Sequence, residues 1–195
     1  TDLVSDGFSF VGGIAVPTRV THDYSDTLPA LNLVAELNPD LLLRFSTAKV
    51  MSRPNLGFLN PGATVSVSGG ARTVNTGNPK LDPFRATTID MGLEWYFADD
   101  ALLGLGIFYK DIDNPIFNRV QTLEDTEFEG RFYSELQITQ PQNARSGNIL
   151  GIELNYQQQF SMLPGLLRGL GVSLSYTWTD SEAEVFDRDE KVPFF

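Results

Sequence analysis

Residues 89–97 read Ile-Asp-Met-Gly-Leu-Glu-Trp-Tyr-Phe, and residues 103–110 read Leu-Gly-Leu-Gly-Ile-Phe-Tyr-Lys. Both stretches place a large apolar side chain at every odd position, and a glycine, a charged or an aromatic residue at the even positions. Because successive side chains of a strand point to opposite faces, a period of two predicts two β-strands. A helix would bring Asp90 onto the same stripe as large apolar side chains, which excludes a helical interpretation.

The same alternation recurs in residues 31–37, 41–48, 150–156 and 170–178. On the apolar face the middle of each strand is aliphatic, and aromatic residues stand toward the ends, namely Trp95, Phe97, Tyr109, Tyr156, Tyr176 and Trp178. The other face carries mainly Gly, Ser, Asn, Thr, Asp, Glu and Arg. This combination is typical of a strand with lipid on one side and a water-filled lumen on the other. A soluble antiparallel sheet has the same period and stays open as an alternative.

The segments between these strands favour the membrane interpretation. Short connections at 38–40, 98–100 and 161–169 alternate with long ones, which we place at Ser52–Arg85, at Asp111–Gly147 and from Asp180 onward. Outer-membrane barrels have short turns at one end and long loops at the other. Within or near the long segments, Ile116–Val120 and Phe132–Ile138 are strand-like, and Val4–Val20 resembles one additional strand.

Acidic residues concentrate in two of the long connections. They are Asp111, Asp113, Glu124, Asp125, Glu127 and Glu129 in one, and Asp180, Glu182, Glu184, Asp187, Asp189 and Glu190 in the other. The apolar strand faces carry no charge in mid-strand. We therefore expect the negative charge to lie mainly outside the membrane, at the end of the barrel that carries the long loops.

Composition excludes several classes of protein. The chain has 195 residues and a formal net charge of −11, with 42% hydrophobic and 20% charged residues. The absence of cysteine excludes a disulfide scaffold and thiolate metal sites, and a single histidine leaves little room for metal chemistry. The excess of acidic residues argues against nucleic acid as a partner. No run approaches the ~20 apolar residues of a membrane-spanning helix, whereas a spanning strand needs only about 10.

Candidate site residues lie on the polar faces of the strands. The inward-facing charged residues are Arg44, Asp90, Glu94, Lys110 and Glu153. They are candidates for contact with a solute, but we favour the other interpretation, in which they pair with one another or with a domain that fills the lumen. We predict no catalytic residue, no metal site and no cofactor.

Three other motifs lack the features that their chemistry requires. The acidic run 187–190 has neither the glycine nor the spacing of a calcium loop. His22 lies near Asp23 and Ser25 without a nucleophile motif. Gly104 and Gly106 stand inside a strand with no helix after them, which argues against a phosphate loop.

Four stretches of the sequence resemble one known family. Residues 44–48 (Arg-Phe-Ser-Thr-Ala) and 52–54 (Ser-Arg-Pro) are similar to the "RxSxA…SRP" strand of TonB-dependent outer-membrane receptors, and residues 77–83 (Gly-Asn-Pro-Lys-Leu-Asp-Pro) resemble that family's "GNPxLxP" loop. The next strand ends in Glu94-Trp95-Tyr96, as in the family. Residues 108–112 (Phe-Tyr-Lys-Asp-Ile) and 151–156 (Gly-Ile-Glu-Leu-Asn-Tyr) resemble its "FYK" and "GxExxY" strands. The order and spacing of the four matches, over about residues 28–178, make the resemblance specific.

This resemblance implies a transport function in the outer membrane of a Gram-negative bacterium. Members of the family are antiparallel transmembrane β-barrels of about 22 strands with an N-terminal plug domain. They import ferric siderophores, cobalamin, haem or carbohydrates, with energy from a TonB-type partner protein that pulls on the plug. The expected partners are therefore membrane lipid, a small-molecule ligand and the TonB-type protein, and no covalent chemistry is expected.

The chain departs from the family pattern in ways that set its expected boundaries. It shows no plug domain and no TonB box, and Asp189, Lys191 and Pro193 interrupt the alternation before Phe195. We therefore expect residues 1–195 to be part of the barrel domain, with the final strands missing and two open sheet edges. A passive porin-like barrel and a soluble β-rich carbohydrate-binding domain remain as alternatives.

Overall fold

The structure is a computed structural model that describes residues 2–11, 14–68, 71–128 and 131–184. In chain order the strands are β1 (Asp2–Val11), β2 (Ile14–Asp23), β3 (Ala30–Asn38), β4 (Leu41–Ser52), β5 (Ala63–Ser68), β6 (Ala71–Thr76), β7 (Phe84–Ala98), β8 (Ala101–Asp113), β9 (Ile116–Phe128), β10 (Arg131–Asn143), β11 (Ser146–Gln159) and β12 (Gly171–Glu184). Two 3-10 helices lie at Leu56–Leu59 and Gly165–Gly169. In the part of the chain that the structure describes, no helix is long and apolar enough to span a membrane.

The chain divides into two compact units. The sheet unit comprises the described residues of Thr27–Val50, Arg85–Asp113 and Ser146–Phe195, and the loop unit comprises those of Thr1–Asp26, Met51–Phe84 and Asn114–Arg145. The loop unit thus collects the chain before β3 and the two long connections, β4 to β7 and β8 to β11. The two units are described separately below.

The sheet unit contains one six-stranded sheet in the order β12-β11-β8-β7-β4-β3. Five of the six predicted strands match β3, β4, β7, β8 and β11, and the sixth corresponds to β12, which begins at Gly171 rather than at Leu170. Turns at Pro39-Asp40 and Asp99-Asp100 close the two tight hairpins, as predicted. The strands β3 and β12 form the two edges of this sheet.

The loop unit contains a hairpin, β1–β2, and a four-stranded sheet in the order β5-β6-β10-β9. In the four-stranded sheet β6 pairs with β10 in parallel, and the pairs β5–β6 and β9–β10 are antiparallel. Val74, Tyr133 and Leu136 form its buried cluster, with Ala63, Phe128 and Ile138 partly buried against them. The strand-like stretches Ile116–Val120 and Phe132–Ile138 are confirmed as parts of β9 and β10.

Two predictions about the long segments need correction, one of them only in part. Val4–Val20 is not one strand, because β1 and β2 pair antiparallel from Asp2↔Asp23 to Val11↔Ile14. The two residues between them are both glycine, a pair that favours a tight hairpin.

The second correction concerns the acidic residues. Asp111 and Asp113 belong to β8, and Asp180, Glu182 and Glu184 belong to β12, so these five residues extend strands of the sheet unit instead of lying in the long connections. Glu124, Asp125 and Glu127 do lie in a long connection, within β9. A strand that is polar on both faces has no hydrophobic period, so the sequence pattern missed it. Glu129 and the acidic run 187–190 lie outside the described residues.

Candidate functional site

The register of the sheet unit assembles the odd residues of β7 and β8 and the even residues of β11 and β12 into one surface, here called the apolar face. Its rows across four strands are Ile89–Tyr109–Leu150–Asp180, Met91–Ile107–Ile152–Trp178, Leu93–Leu105–Leu154–Tyr176 and Trp95–Leu103–Tyr156–Leu174. Asp180 is the only charged residue in these four rows. The row beyond it, on the side of Ile89, contains Asp111 and Glu182. The apolar rows therefore end where the acidic rows begin.

The described part of the chain leaves the apolar face largely uncovered. Met91 is 50% exposed, Ile107 46% and Leu154 42%, while Leu43 and Leu93 are half-buried. Among the described residues of this unit, the buried apolar side chains are Ala86, Ala101, Ile112 and Ala183. A soluble sheet sandwich would bury the large residues of its apolar face against a second layer. This sheet has large apolar residues on its surface instead of in a core.

The opposite surface, here called the polar face, contains glycines in neighbouring strands. Gly92 pairs with Gly106, which pairs in turn with Glu153. A Cβ added to Gly92 would lie 3.9 Å from the Arg44 Cβ, which places Arg44 on the same face. All five predicted site residues therefore share the polar face, where an open groove of about 350 Å³ is lined in part by Arg44, Asp90 and Glu153.

Arg44 and Glu94 form a two-bond ion pair on the polar face. The Arg44 Nε donates to Glu94 Oε1 at 2.7 Å, and its Nη2 donates to Glu94 Oε2 at 3.2 Å. The Tyr96 hydroxyl donates to the same Oε2 at 2.9 Å. A two-bond contact of this kind fixes the guanidinium plane as well as its position. This group ties β4 to β7 and leaves neither of its two charges unpaired.

The other three candidates are held less firmly. The Ser46 hydroxyl donates to Asp90 Oδ2 at 3.3 Å, and the Lys110 Nζ lies 5.4 Å from the centre of the Phe108 ring. The Glu153 carboxylate forms no ion pair or hydrogen bond within the described residues; its Oε2 lies 3.7 Å from the Cβ position at Gly106. Lys110 and Glu153 are thus the two candidates that form neither an ion pair nor a hydrogen bond within the described residues.

The "GNPxLxP" segment lies in the loop unit, where it is bonded to β10. A Cβ on Gly77 would overlap the carbonyl oxygens of Asn60 and Phe58, so only glycine fits there. The Asn78 Nδ2 donates to the Pro141 carbonyl at 3.2 Å. Leu81 is fully buried. The motif therefore acts as a structural connector in this chain.

Asn143 is the residue that holds this connector and that the sequence analysis missed. Its Oδ1 accepts from the Asp82 N–H at 2.9 Å, and its Nδ2 donates to the carbonyls of Asp82 at 3.1 Å and Asn114 at 2.9 Å. The side-chain amide thus bonds both backbone groups of Asp82, as a neighbouring strand would. The only feature of the sequence that could have indicated this role was a polar residue at the end of β10.

His22 lies beside a carboxylate that is distant in the sequence. Its Nε2 lies 3.2 Å from Asp82 Oδ1, and its ring lies 6.3 Å from that of Tyr24. The pair joins β2 to the "GNPxLxP" segment. Within the described ranges, no group of three or more His, Asp or Glu side chains is arranged to hold a metal ion.

Comparison with solved structures identifies similar folds. The chain is similar to the siderophore receptor PirA from Pseudomonas aeruginosa, at 21% identity and a TM-score of 0.61, over 90% of this chain and 34% of that one. It is also similar to a mutant of the ferric enterobactin receptor PfeA from P. aeruginosa in complex with enterobactin, at 20% identity and a TM-score of 0.58, over 88% and 22%. PirA from Acinetobacter baumannii matches at 18% identity and a TM-score of 0.52, over 88% and 23%. The chain thus spans about a fifth to a third of these receptors.

The family assignment rests on the sequence itself. No curated protein sequence matches the chain. A family model described as "TonB dependent receptor-like, beta-barrel" matches residues 2–194. This match covers almost the whole chain and agrees with an all-β fold whose largest sheet has one apolar and one polar face. The chain therefore belongs to the family of TonB-dependent receptor β-barrels.

Proposed function

We propose that this chain is part of the barrel wall and outer loops of a receptor that imports a scarce nutrient across the outer membrane of a Gram-negative bacterium. The observation that carries the proposal is the uncovered apolar face of a single-layer sheet, with charged residues confined to its margins. In this proposal the plug domain and the remaining barrel strands belong to other parts of the same receptor, and residues 1–195 belong to the barrel domain alone.

The dimensions of the apolar face suit a bilayer. Along β7 the apolar residues of this face are Ile89, Met91, Leu93 and Trp95, and Phe97 continues the series toward the short turn, so that it covers residues 89–97. A tilted strand needs about 9–11 residues to cross the hydrocarbon region. At the margin that faces the short turns, the Trp95 and Phe97 rings lie 5.5 Å apart, and Phe97 stacks on Tyr156 at 6.0 Å. Aromatic side chains of this kind favour the level of the lipid headgroups.

A ferric siderophore is the ligand class that we favour. Support comes from the solved receptors, which are described as siderophore or ferric enterobactin receptors. Cobalamin, haem and carbohydrates are the other classes that the family imports. In this proposal the polar face lines the wet interior of the barrel, where Lys110 and Glu153 are available to a solute or to the plug. Arg44, Asp90 and Glu94 mainly support the wall.

Energised uptake is the property that tests this proposal. Deletion of the full-length gene should abolish uptake of radioactive iron from its siderophore, and the intact gene should restore it. A protonophore should remove that uptake, because the energy comes from the inner membrane. Uptake that persists with the protonophore would favour the passive porin-like barrel. A receptor that stays folded and monomeric without detergent would favour the soluble carbohydrate-binding domain.

Cysteine labelling tests the orientation separately. A cysteine at Asp125, in β9, should react with a membrane-impermeant maleimide on intact cells, and a cysteine at Pro39, in a short turn, should not. Reaction at position 39 and not at position 125 would reverse the topology while leaving the barrel assignment intact.

A further inference from the structure

The connection between β11 and β12 differs in composition from the other two short connections. Asn38-Pro39-Asp40 and Ala98-Asp99-Asp100 are polar and acidic. The segment Phe160–Gly171 reads Phe-Ser-Met-Leu-Pro-Gly-Leu-Leu-Arg-Gly-Leu-Gly, with no acidic residue and one cation, Arg168. It carries a charge of +1 in a chain whose net charge is −11.

The backbone of this segment is ordered by its own hydrogen bonds. Phe160 N–H donates to the Leu170 carbonyl at 2.8 Å, Leu163 N–H to the Phe160 carbonyl at 3.0 Å, and Leu170 N–H to the Leu167 carbonyl at 3.1 Å. Gly165, at φ +65°, begins the 3-10 helix. The segment is therefore a defined turn, and its shape does not depend on burying its apolar side chains.

Most of those apolar side chains are exposed to solvent. Leu166 is 99% exposed and Met162 70%, and Leu167 and Leu170 are each 51% exposed. Leu163 is half-buried. Contiguous exposed apolar residues in a natural protein mark a surface that contacts another apolar phase or partner.

The apolar surface of the turn is continuous with the apolar face. Leu170 has an extended backbone and precedes Val172 and Leu174 at the same two-residue spacing. Leu174 lies in the row of Trp95, Leu103 and Tyr156. A surface that extends a lipid-facing band, at the level where that band ends, is in position to meet the same bilayer.

We propose that this turn inserts into the phospholipid leaflet on the side of the short connections. Met162, Leu166, Leu167 and Leu170 enter the boundary between headgroups and acyl chains, and the Arg168 guanidinium lies among the phosphates. A long cationic side chain readily extends from an apolar surface to the headgroups, and anionic lipid attracts it. This inference rests on the proposed outer-membrane location. It assigns to one short turn the role of setting the depth and tilt of this part of the wall.

Spin labels on single cysteines test the proposal, because the chain contains no native cysteine. The full-length receptor, in a cysteine-free form, would be reconstituted into vesicles of phosphatidylethanolamine and phosphatidylglycerol with a label at Leu166, Asp99 or Leu105. We expect the label at Leu166 to be several-fold more accessible to oxygen than to a water-soluble nickel complex. The label at Asp99, in a polar turn at the same end, should show the reverse.

Arg168 provides a second measurement that does not depend on Leu166 alone. Arg168→Glu should raise nickel access to the label at Leu166 several-fold, and the matched variant Arg168→Lys should not. Equal nickel access in both variants would contradict the role of the cation.

The label at Leu105, in the middle of the apolar face, separates the two levels of inference. A lipid-embedded label at Leu105 combined with a water-exposed label at Leu166 would overturn the turn insertion and leave the barrel proposal standing. A label at Leu166 shielded from both reagents would overturn it in favour of a protein partner. A water-exposed label at Leu105 would contradict the proposed function itself.

Discussion

The two units of this chain place their apolar residues in opposite ways. In the loop unit, Val74, Leu81 and Leu136 are fully buried. In the sheet unit the large residues of the apolar face are largely exposed, and Ile112 is the only large apolar side chain buried among its described residues. The loop unit is therefore built around an internal core, whereas the apolar face of the sheet unit needs a nonpolar environment outside the described chain.

This difference shows why the same kind of apolar residue has a different role in each of the two units. A side chain in a packed core is held by its neighbours, so its loss leaves a cavity. A side chain against lipid loses little on truncation, because mobile acyl chains fill the space, whereas a charge there is costly. The predictions below use this contrast, from the largest expected effect to the smallest.

Leu136→Ala should destabilise the loop unit by about 2–5 kcal/mol, because the cluster around Val74 and Tyr133 cannot close the cavity. Limited proteolysis of the reconstituted receptor should show faster cleavage within residues 114–145. Phe132→Ala is the control, since Phe132 is on the same strand and 70% exposed. Equal cleavage of the two variants would contradict the assignment of a core to this unit.

Leu93→Arg should lower the stability of the barrel in lipid vesicles by about 2–4 kcal/mol, because a cation would face the centre of the membrane. Denaturant unfolding followed by gel mobility measures this change. Gly92→Ser should have only a mild effect, since a Cβ there meets nothing closer than 3.9 Å. Equal losses in the two variants would contradict the assignment of Leu93 and Gly92 to opposite faces.

Asn143→Ala should loosen the "GNPxLxP" segment, because three hydrogen bonds to Asp82 and Asn114 are lost. The expected cost is about 1–3 kcal/mol, the penalty for leaving backbone groups without partners. Hydrogen exchange near residues 77–83 should speed up while exchange in β7 and β8 stays unchanged. Gln142→Ala is the matched control; if it gave the same acceleration, the role of Asn143 would be disproved.

Gly151→Ala tests the polar face, where a Cβ would overlap the Phe108 ring. We expect a loss of about 1 kcal/mol, at the low end for overpacking, because the ring can swing aside. Gly92→Ala should be close to neutral. Unfolding in lipid vesicles compares the two, and a neutral Gly151→Ala would indicate that Phe108 is not held over the glycine.

The smallest effect concerns the Asp6–Arg19 pair of the β1–β2 hairpin. Arg19 Nε and Nη2 donate to the two oxygens of Asp6 at 2.7 and 2.9 Å, and these hydrogen bonds lower the pKa of Asp6 below its ordinary value of 3.8. Since the folded pKa is lowered, the contribution of the pair is present above pH 3.8 and is lost as pH falls through the folded pKa. Both side chains are exposed, so salt should weaken the effect further.

An NMR titration measures the pKa of Asp6 directly. Arg19→Gln should raise it toward 3.8, and Thr21→Val, on the same strand, should leave it unchanged. An Asp6 pKa that does not respond to Arg19→Gln would show that the ion pair does not form in solution.

The sheet unit was largely predictable, because its two faces differ in polarity and the sequence shows that difference residue by residue. Leu93 and Gly92 belong to opposite faces on the period alone, and the register confirms it. The loop unit was less predictable. The partners of Asn143 come from segments far away in sequence, and the parallel pairing of β6 with β10 leaves no periodic signal. In the candidate site, the two-residue alternation alone placed Arg44 and Glu94 on the same face. Their ion pair became apparent only from the structure.

The parallel pairing of Thr73, Val74 and Asn75 with Gln137, Ile138 and Thr139 also constrains the order of folding. Each antiparallel hairpin joins neighbours in the chain and closes quickly, whereas β6 and β10 come from different connections and must wait for long-range closure. We therefore expect the hairpins to form before β6 joins β10. Since the "GNPxLxP" segment bonds to β10, we expect it to become fixed only at that late step, so one of the four motifs that resemble the family should be among the last parts of this chain to acquire its structure.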